Sequence, residues 1–374
     1  MKKINYILST LFVAVTIVSL PVMIMTTDKD KVIKSENRKV MPFPKIHKVK
    51  KSEIIAFIES LNNYVEDRLP LKEYVFINFG SFYRQNTISV DYSDAVEGND
   101  GWIFLGNNYN NVLNQHIHDQ STNVVEGKEF SKKILEMSNA YPSAYTTVLV
   151  CPDKHGIYWE NIPKYLRGNV EFRLAEKKIN KLKENNINVI DLYAALKEAK
   201  KKDKVYYQTD THWNPKGAEA GFREFYKQLS EKISLQKLDY DLYEYGKQGG
   251  FHGDLARIVG MMWLTETVPV FKPRYKVDWI YNDKEVYDYT HLPPNLATPT
   301  NAHFVTNKKA PNKQRVFWCG DSFSDALAPF ITLSFENIRY LARSQCKLSN
   351  PRFLVEISNF KPDLVVYETV ERDL

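Results

Sequence analysis

Ser322 closes the run Arg315-Val-Phe-Trp-Cys-Gly-Asp-Ser322, and His212 follows Asp210 by two positions in Gln208-Thr-Asp-Thr-His-Trp213. A hydroxyl, an imidazole and a carboxylate are the parts of a serine nucleophile, a general base and the acid that orients that base. Chemistry of this kind moves acyl groups. The hydroxyl attacks a carbonyl, the imidazole takes its proton, and the carboxylate holds the imidazolium.

Each half has a simpler reading. In the first, an apolar strand ends at Gly320, which permits a sharp turn, and a helix starts near Phe323. That turn would expose Ser322 Oγ at the C-terminal edge of a sheet and aim amides from the helix start at an oxyanion. Asp321 or Ser322 could equally do no more than cap the helix. A Gly-Asp-Ser tripeptide arises by chance in roughly one chain in ten of this size. In the second half, Asp210 and His212 would project to one side of an extended segment, so that the carboxylate meets one ring nitrogen. The alternative is a surface loop with a capping Asp and a satisfied His. Asp-x-His-Trp is much the rarer pattern, because His and Trp are scarce. Both segments stand next to element termini, and together they satisfy triad logic better than either alone.

Other chemistry-bearing residues are weaker signals. Lys154 and His155 follow a strand end, the same sheet edge as the candidate site, and suit substrate contact. Trp213 and Trp263 could stack on a sugar ring or simply fill a core. His116-x-His118 has no third ligand at a plausible spacing, so a solvated loop is expected there and no metal site is assigned.

The elements that must position these residues alternate. Strands are expected at Tyr145–Cys151, Asn188–Leu192, Val316–Cys319, Ile338–Leu341 and Leu364–Tyr367, all short, apolar and rich in β-branched residues. Helical patterns occupy 124–140, 170–185, 193–201, 216–232, 323–333 and 350–358, the fourth entered through Asn214-Pro215. Such alternation predicts an α/β fold with a mostly parallel sheet flanked by helices. Residues 235–312, rich in Tyr, Pro and Asn, break the rhythm and read as an irregular insertion near the site.

Across 374 residues, 43% are hydrophobic and 26% charged, ordinary values for a fold with a sizeable core. The net charge of +6 is spread out, and the absence of a basic stripe argues against a nucleic-acid partner. Three cysteines without a CxxC exclude a zinc ribbon and argue against a disulfide framework, although one bridge remains open outside the cytoplasm. Cys151 and Cys319 end strand-like runs, where small buried thiols are expected. The uncharged run Ile4–Met25 after Met1-Lys-Lys3 has the length of a membrane-spanning helix, and no small-residue cleavage site follows it. A retained anchor over 1–27 is therefore expected, leading into a charged, Pro-punctuated stalk and a helical region over 28–95, with an apolar stripe at Ile54, Ile55, Ile58, Leu61 and Val65. Lysines and arginines flank the run on both sides, so charge does not orient it.

Asp210-x-His212-Trp213 and Gly320-Asp-Ser322-Phe323 resemble the SGNH-hydrolase-like proteins of alginate O-acetylation, AlgJ and AlgX, and the related DHHW family. Supporting matches are Glu36-Asn-Arg38, Pro42-Phe-Pro44, Gly101-Trp-Ile-Phe-Leu105, Pro152-Asp-Lys-His-Gly-Ile-Tyr158 with Pro163, Gly253-Asp-Leu255, Pro362-Asp-Leu-Val-Val366 and Glu371-Arg372. They run in the family's order over nearly the whole chain after the apolar segment. The resemblance implies an SGNH-like three-layer α/β/α domain over 96–374. It also implies acetyl transfer to hydroxyls of an exported polysaccharide, an extracytoplasmic site in the cell envelope, and a multi-spanning membrane O-acyltransferase that delivers the acyl group. Ser322 falls on the nucleophile, His212 on the base and Asp210 on its orienter, and no cofactor is implied. Secreted SGNH esterases place Gly-Asp-Ser first and Asp-x-x-His last; here the order is reversed and the spacing shorter. Their Gly-x-Asn-Asp oxyanion block is not recognisable, and Gly98-Asn-Asp100 belongs to the Gly-Trp turn, so only the Ser322 N–H is assigned as an oxyanion donor. Two other readings stay open: a carbohydrate O-acetyl esterase with the same triad, and a non-catalytic polysaccharide-binding or assembly protein.

Overall fold

The computed structural model describes residues 32–33, 38–44, four positions between 57 and 64, 94–117, 126–167, 171–261, 263–274, 279–281, 284–286 and 303–374. The run Ile4–Met25, most of the stalk, His118 and most of the apolar stripe lie outside the described residues; Phe57, Ser60, Leu61 and Tyr64 are helical. Among the described residues no helix is long and apolar enough to cross a membrane.

The chain divides into two units, Met1–Val90 with Asp254–Leu264, and Asp91–Gly253 with Thr265–Leu374. In the first, Val32–Ile33 pairs antiparallel with Arg38–Lys39, Phe43 meets Tyr64 edge-on at 5.2 Å, and Asp254–Ile258 is a short helix.

The second unit opens with a hairpin, β1 (Ala95–Glu97) and β2 (Ile103–Leu105), then α1 (Val112–Ile117) and α2 (Glu126–Ala140). Next come β3 (Tyr145–Cys151), α3 (Lys154–Ile157), α4 (Leu174–Glu184), β4 (Val189–Asp191), α5 (Tyr193–Ala199) and α6 (Pro215–Ser230). A second hairpin, β5 (Tyr243–Phe251) and β6 (Glu266–Pro273), precedes the short strands β7 (Trp279–Tyr281), β8 (Lys284–Val286) and β9 (His303–Thr306). The chain closes with β10 (Asn312–Gly320), α7 (Ser324–Ser334), β11 (Phe335–Ala342), α8 (Pro351–Phe360) and β12 (Leu364–Val370).

The central sheet has the order β8-β7-β9-β11-β10-β12-β3-β4. From β11 to β4 every pairing is parallel, and these five strands are the five expected from apolar runs. Their alternate residues feed two separate cores. Leu149, Trp318, Tyr340 and Val366 pack with Phe222, Phe225, Leu327 and Phe330 of α6 and α7. Val148, Val150, Phe317, Leu341 and Val365 pack with Ile134, Ile179, Phe353 and Ile357 of α2, α4 and α8. A sheet covered on both faces explains why its strands read as unbroken apolar runs rather than alternating ones.

Stretch 235–312 is less irregular than expected: it supplies the β5–β6 hairpin, and β7, β8 and β9 extend the sheet antiparallel beyond β11. Cys319 corrects the expectation of a buried thiol. It ends β10, and the chain after β11 returns Cys346 to it as a disulfide across 27 residues; Cys151 is the buried free cysteine.

Candidate active site

The segment carrying Asp210 and His212 is a loop between two hydrogen-bonded ends, not an extended strand. Tyr206 and Trp213 form an antiparallel bridge, and Asn214 N donates to Val205 O at 3.0 Å. Asn214 then caps α6, accepting from Lys216 N and Gly217 N at 2.9 and 3.1 Å, with Pro215 in the first turn. Within the loop, Asp210 Oδ1 accepts the main-chain N–H of His212 at 3.0 Å and its Nδ1–H at 2.7 Å. The pair therefore meets by an aspartate folding onto the amide two residues on. That is a different reason from the alternation of an extended chain.

With Nδ1 donating to Asp210, Nε2 is the acceptor, and it lies 2.8 Å from Ser322 Oγ across 110 residues of sequence. Ser322 is exposed and the His212 side chain is 28% accessible, so the hydroxyl faces solvent. The structure thus brings Asp210, His212 and Ser322 into one hydrogen-bonded line.

The turn that presents Ser322 is tightly determined. A Cβ on Gly320 would fall 2.0 Å from Ser324 Oγ, 2.8 Å from Trp318 Nε1 and 2.9 Å from Glu368 Oε2. Asp321 secures the helix start, accepting Phe323 N on Oδ1 and Val370 N on Oδ2, both at 3.0 Å. The Phe323 amide is therefore already paired, whereas the Ser322 amide lies at the helix entrance where oxyanion donors are found. Beneath the turn, Glu368 Oε2 accepts Asp321 N at 2.8 Å and Ser324 Oγ–H at 2.6 Å, while Ser324 Oγ accepts Trp318 Nε1–H at 2.8 Å. Burial, with the charge of Asp321 added, pushes the Glu368 carboxyl up to about 8. Glu368 had no sequence signal, being a lone acid inside an apolar run.

Beside Ser322 lies an open cavity of about 320 Å³ lined by Lys133, Arg343, Ser344 and Tyr367. Lys133 donates to the Tyr367 hydroxyl, and burial together with Lys347 and Arg343 lowers its ammonium to about 8. Arg343 is engaged by Asp373 and Thr369.

Three expectations need correction. Lys154 and His155 do not face substrate: they are 2% and 1% exposed, Lys154 Nζ donates to the carbonyls of Tyr207, Gln208 and Asp210 at 3.2, 3.2 and 2.6 Å, and His155 Nε2 meets the Leu105 carbonyl at 2.9 Å. Trp213 is 1% exposed and offers no stacking face, because it lies in the core beside Phe323. His116 is not in a solvated loop but buried on α1, 3.4 Å from Glu371 and 3.9 Å from Asp153. Trp263, by contrast, is exposed.

The atoms of His116, Asp153 and Glu371 lie close enough to surround an ion. Their carboxylates already have cationic partners, Arg372 on Asp153 and Arg173 on Glu371, with Arg173 also gripping Asp191 at 2.7 and 2.9 Å. Burial pushes the Asp153 carboxyl up, but Arg372 and His116 outweigh it and hold it well below the ordinary range. Neighbouring His155 is driven down to about 3, first by burial and then by His116. This cluster is an internal ion network that ties the chain's last turn to the end of β3.

A family model described as SGNH hydrolase-like domain, acetyltransferase AlgX, matches residues 95–289. The probable alginate O-acetylase AlgJ of Pseudomonas putida is 24% identical over 171 residues, 44% of this chain and 42% of that protein. The AlgJ of Pseudomonas aeruginosa is 25% identical over 127 residues, 33% of this chain and 30% of that protein. The chain thus spans less than half the length of these curated relatives. Among solved structures, Bacillus cereus PatB1 with a sulfonyl adduct superposes with a TM-score of 0.55 at 15% identity, over 75% of this chain and 96% of that one. A DHHW family protein from Eubacterium siraeum gives 0.54 at 17% identity, over 74% and 94%. Both likenesses establish a shared fold.

Proposed function

The chain belongs to the SGNH hydrolase-like acetyltransferase family of AlgX, and from that premise we propose that it moves acetyl groups onto hydroxyls of an exported polysaccharide through an acyl-Ser322 intermediate. The observation that supports this most is the line Asp210–His212–Ser322, with contacts of 2.7 and 2.8 Å. In the first half-reaction His212 Nε2 takes the Ser322 proton as Oγ attacks the donor's carbonyl carbon. The tetrahedral oxyanion faces the Ser322 amide. Its collapse expels the donor's alcohol, which receives the proton from Nε2. In the second half a sugar hydroxyl gives its proton to Nε2 and attacks the ester, and Ser322 recovers a proton as it leaves. Asp210 holds the ring's tautomer throughout and stabilises the imidazolium.

An exposed Ser322 suits an acceptor too large to enter a closed pocket, as a polymer is. The named activity of the AlgJ relatives, alginate O-acetylation, points the same way. The proposal places the site outside the cytoplasm, on a chain tethered by its N-terminal apolar run, and gives the acyl supply to a multi-spanning membrane O-acyltransferase. The same exposure would admit water, which favours a second reading as a carbohydrate O-acetyl esterase. Incubation with 4-nitrophenyl acetate, with and without oligosaccharides, separates the two. Acetylated oligosaccharide is the expected product; acetate alone under every acceptor tested would replace transfer by hydrolysis.

A further inference from the structure

The loop that carries the base is gripped from two sides by opposite charges. Its carbonyls, at Tyr207, Gln208 and Asp210, converge on the buried Lys154 Nζ. Its amides, at Gln208 and Thr209, converge on Glu266 of β6 at 3.0 and 2.8 Å, and the Thr209 hydroxyl donates to the same carboxylate at 2.7 Å. Gly253 N closes the ring on Thr209 Oγ at 3.0 Å, and a Cβ there would overlap the Thr209 carbonyl at 2.1 Å. Ile103 N and the Gln208 side chain pin the loop to the β1–β2 hairpin at 2.9 and 3.0 Å.

We propose that Lys154 and Glu266 are positioning residues that together fix the Asp210–His212 loop for catalysis. Three carbonyl dipoles pointing one way and two successive amides pointing the other would otherwise be exchanged with water, and the loop would sample other turns. An ammonium against the carbonyls and a carboxylate against the amides makes one arrangement the favoured one, with charge-assisted hydrogen bonds at both ends. The Asp210 carbonyl bound by Lys154 belongs to the residue whose carboxylate orients the imidazole, so a shift at Nζ reaches the base directly. Placement errors of about 1 Å at such a group lower turnover on the order of 10²-fold.

This inference rests on the reading of His212 as the base of Ser322. It is tested with Lys154→Met, Glu266→Gln and the double variant of the full chain. The measurements are kcat and KM for 4-nitrophenyl acetate, thermal melting, and the low-field proton resonance of the His212 Nδ1–H bonded to Asp210. Lys154→Met is expected to lower kcat about 10²-fold and Glu266→Gln about tenfold, with KM unchanged and the low-field resonance lost below the melting temperature. The double variant should lose less than the product of the two, because both act on one loop. A purely structural role would lower melting and leave kcat and the resonance as in wild type; that result overturns the proposal. If Lys154→Met does not fold, Glu266→Gln alone decides it. If wild type shows the resonance but no turnover, and the variants lose the resonance, the clamp stands and the acyl-serine reading falls.

Discussion

Trp213 donates from its indole Nε1 to the main-chain carbonyl of Phe323 at 3.0 Å. This joins the residue after His212 to the residue after Ser322, so the loop and the turn are tied by a bond separate from the Asp210–His212–Ser322 line. The Phe323 ring completes the joint, lying 5.4 Å from Trp213 and 5.1 Å from His212.

Replacing Trp213 by Phe keeps an aromatic ring but removes the indole donor from the buried Phe323 carbonyl, which as the helix N-cap keeps its first intrahelical bond. A loss of about 1 kcal/mol in unfolding free energy is expected. Acetyl-ester turnover should fall with it, measured well below the melting point so that only folded protein is compared. Unchanged turnover would mean that the joint supports the fold without aligning the site.

Gly320→Ala places a methyl group 2.0 Å from Ser324 Oγ, under the Ser322 turn. Overpacking of this kind costs about 1–3 kcal/mol. The shift it forces on Ser322 is expected to reduce turnover further than the stability loss alone explains. Denaturation and kinetics on the same preparation check this.

Glu368 gives the fold a pH dependence of definite sign. The unfolded carboxyl ionises near 4.5, whereas the folded one keeps its proton to about 8. Across that window the unfolded state binds fewer protons, so raising the pH weakens the fold. Glu368→Gln keeps an acceptor for Asp321 N and Ser324 Oγ–H and removes the titration. The decline in unfolding free energy between about pH 5 and about pH 8 should therefore be shallower in the variant. Equal slopes would remove Glu368 as its source.

The Cys319–Cys346 bridge closes a loop of 27 residues between β10 and the turn after β11. Cys346→Ser, or reduction, is expected to cost about 2–4 kcal/mol in unfolding free energy. Chemical denaturation of wild type with and without reductant measures it.

The legible part of this fold was the part buried on both faces. Five parallel strands announce themselves as apolar runs because nothing on either side of the sheet is wet. The antiparallel strands β7 and β8, three residues each, carry too little pattern to be seen. Ser322, Asp210 and His212 were legible as types beside element ends, yet the turn that joins Asp210 to His212 was not, because it depends on a bridge between Tyr206 and Trp213. Lys154 misled for a related reason. A lysine after a strand reads as surface, and carbonyls from a loop more than fifty residues away, with the Trp102 and Phe104 rings beside its ammonium, make its burial tolerable. Cys319 misled because its partner is set by the path of the chain after β11.

The most direct test of the central claim is mass spectrometry of the full chain after brief exposure to 4-nitrophenyl acetate, with peptide mapping. One acetyl group on Ser322 is expected in wild type, lost on adding an acceptor oligosaccharide as that sugar gains acetyl. It should not form in Ser322→Ala and should form far more slowly in His212→Ala. Acetylated sugar made by Ser322→Ala at the wild-type rate would contradict the account.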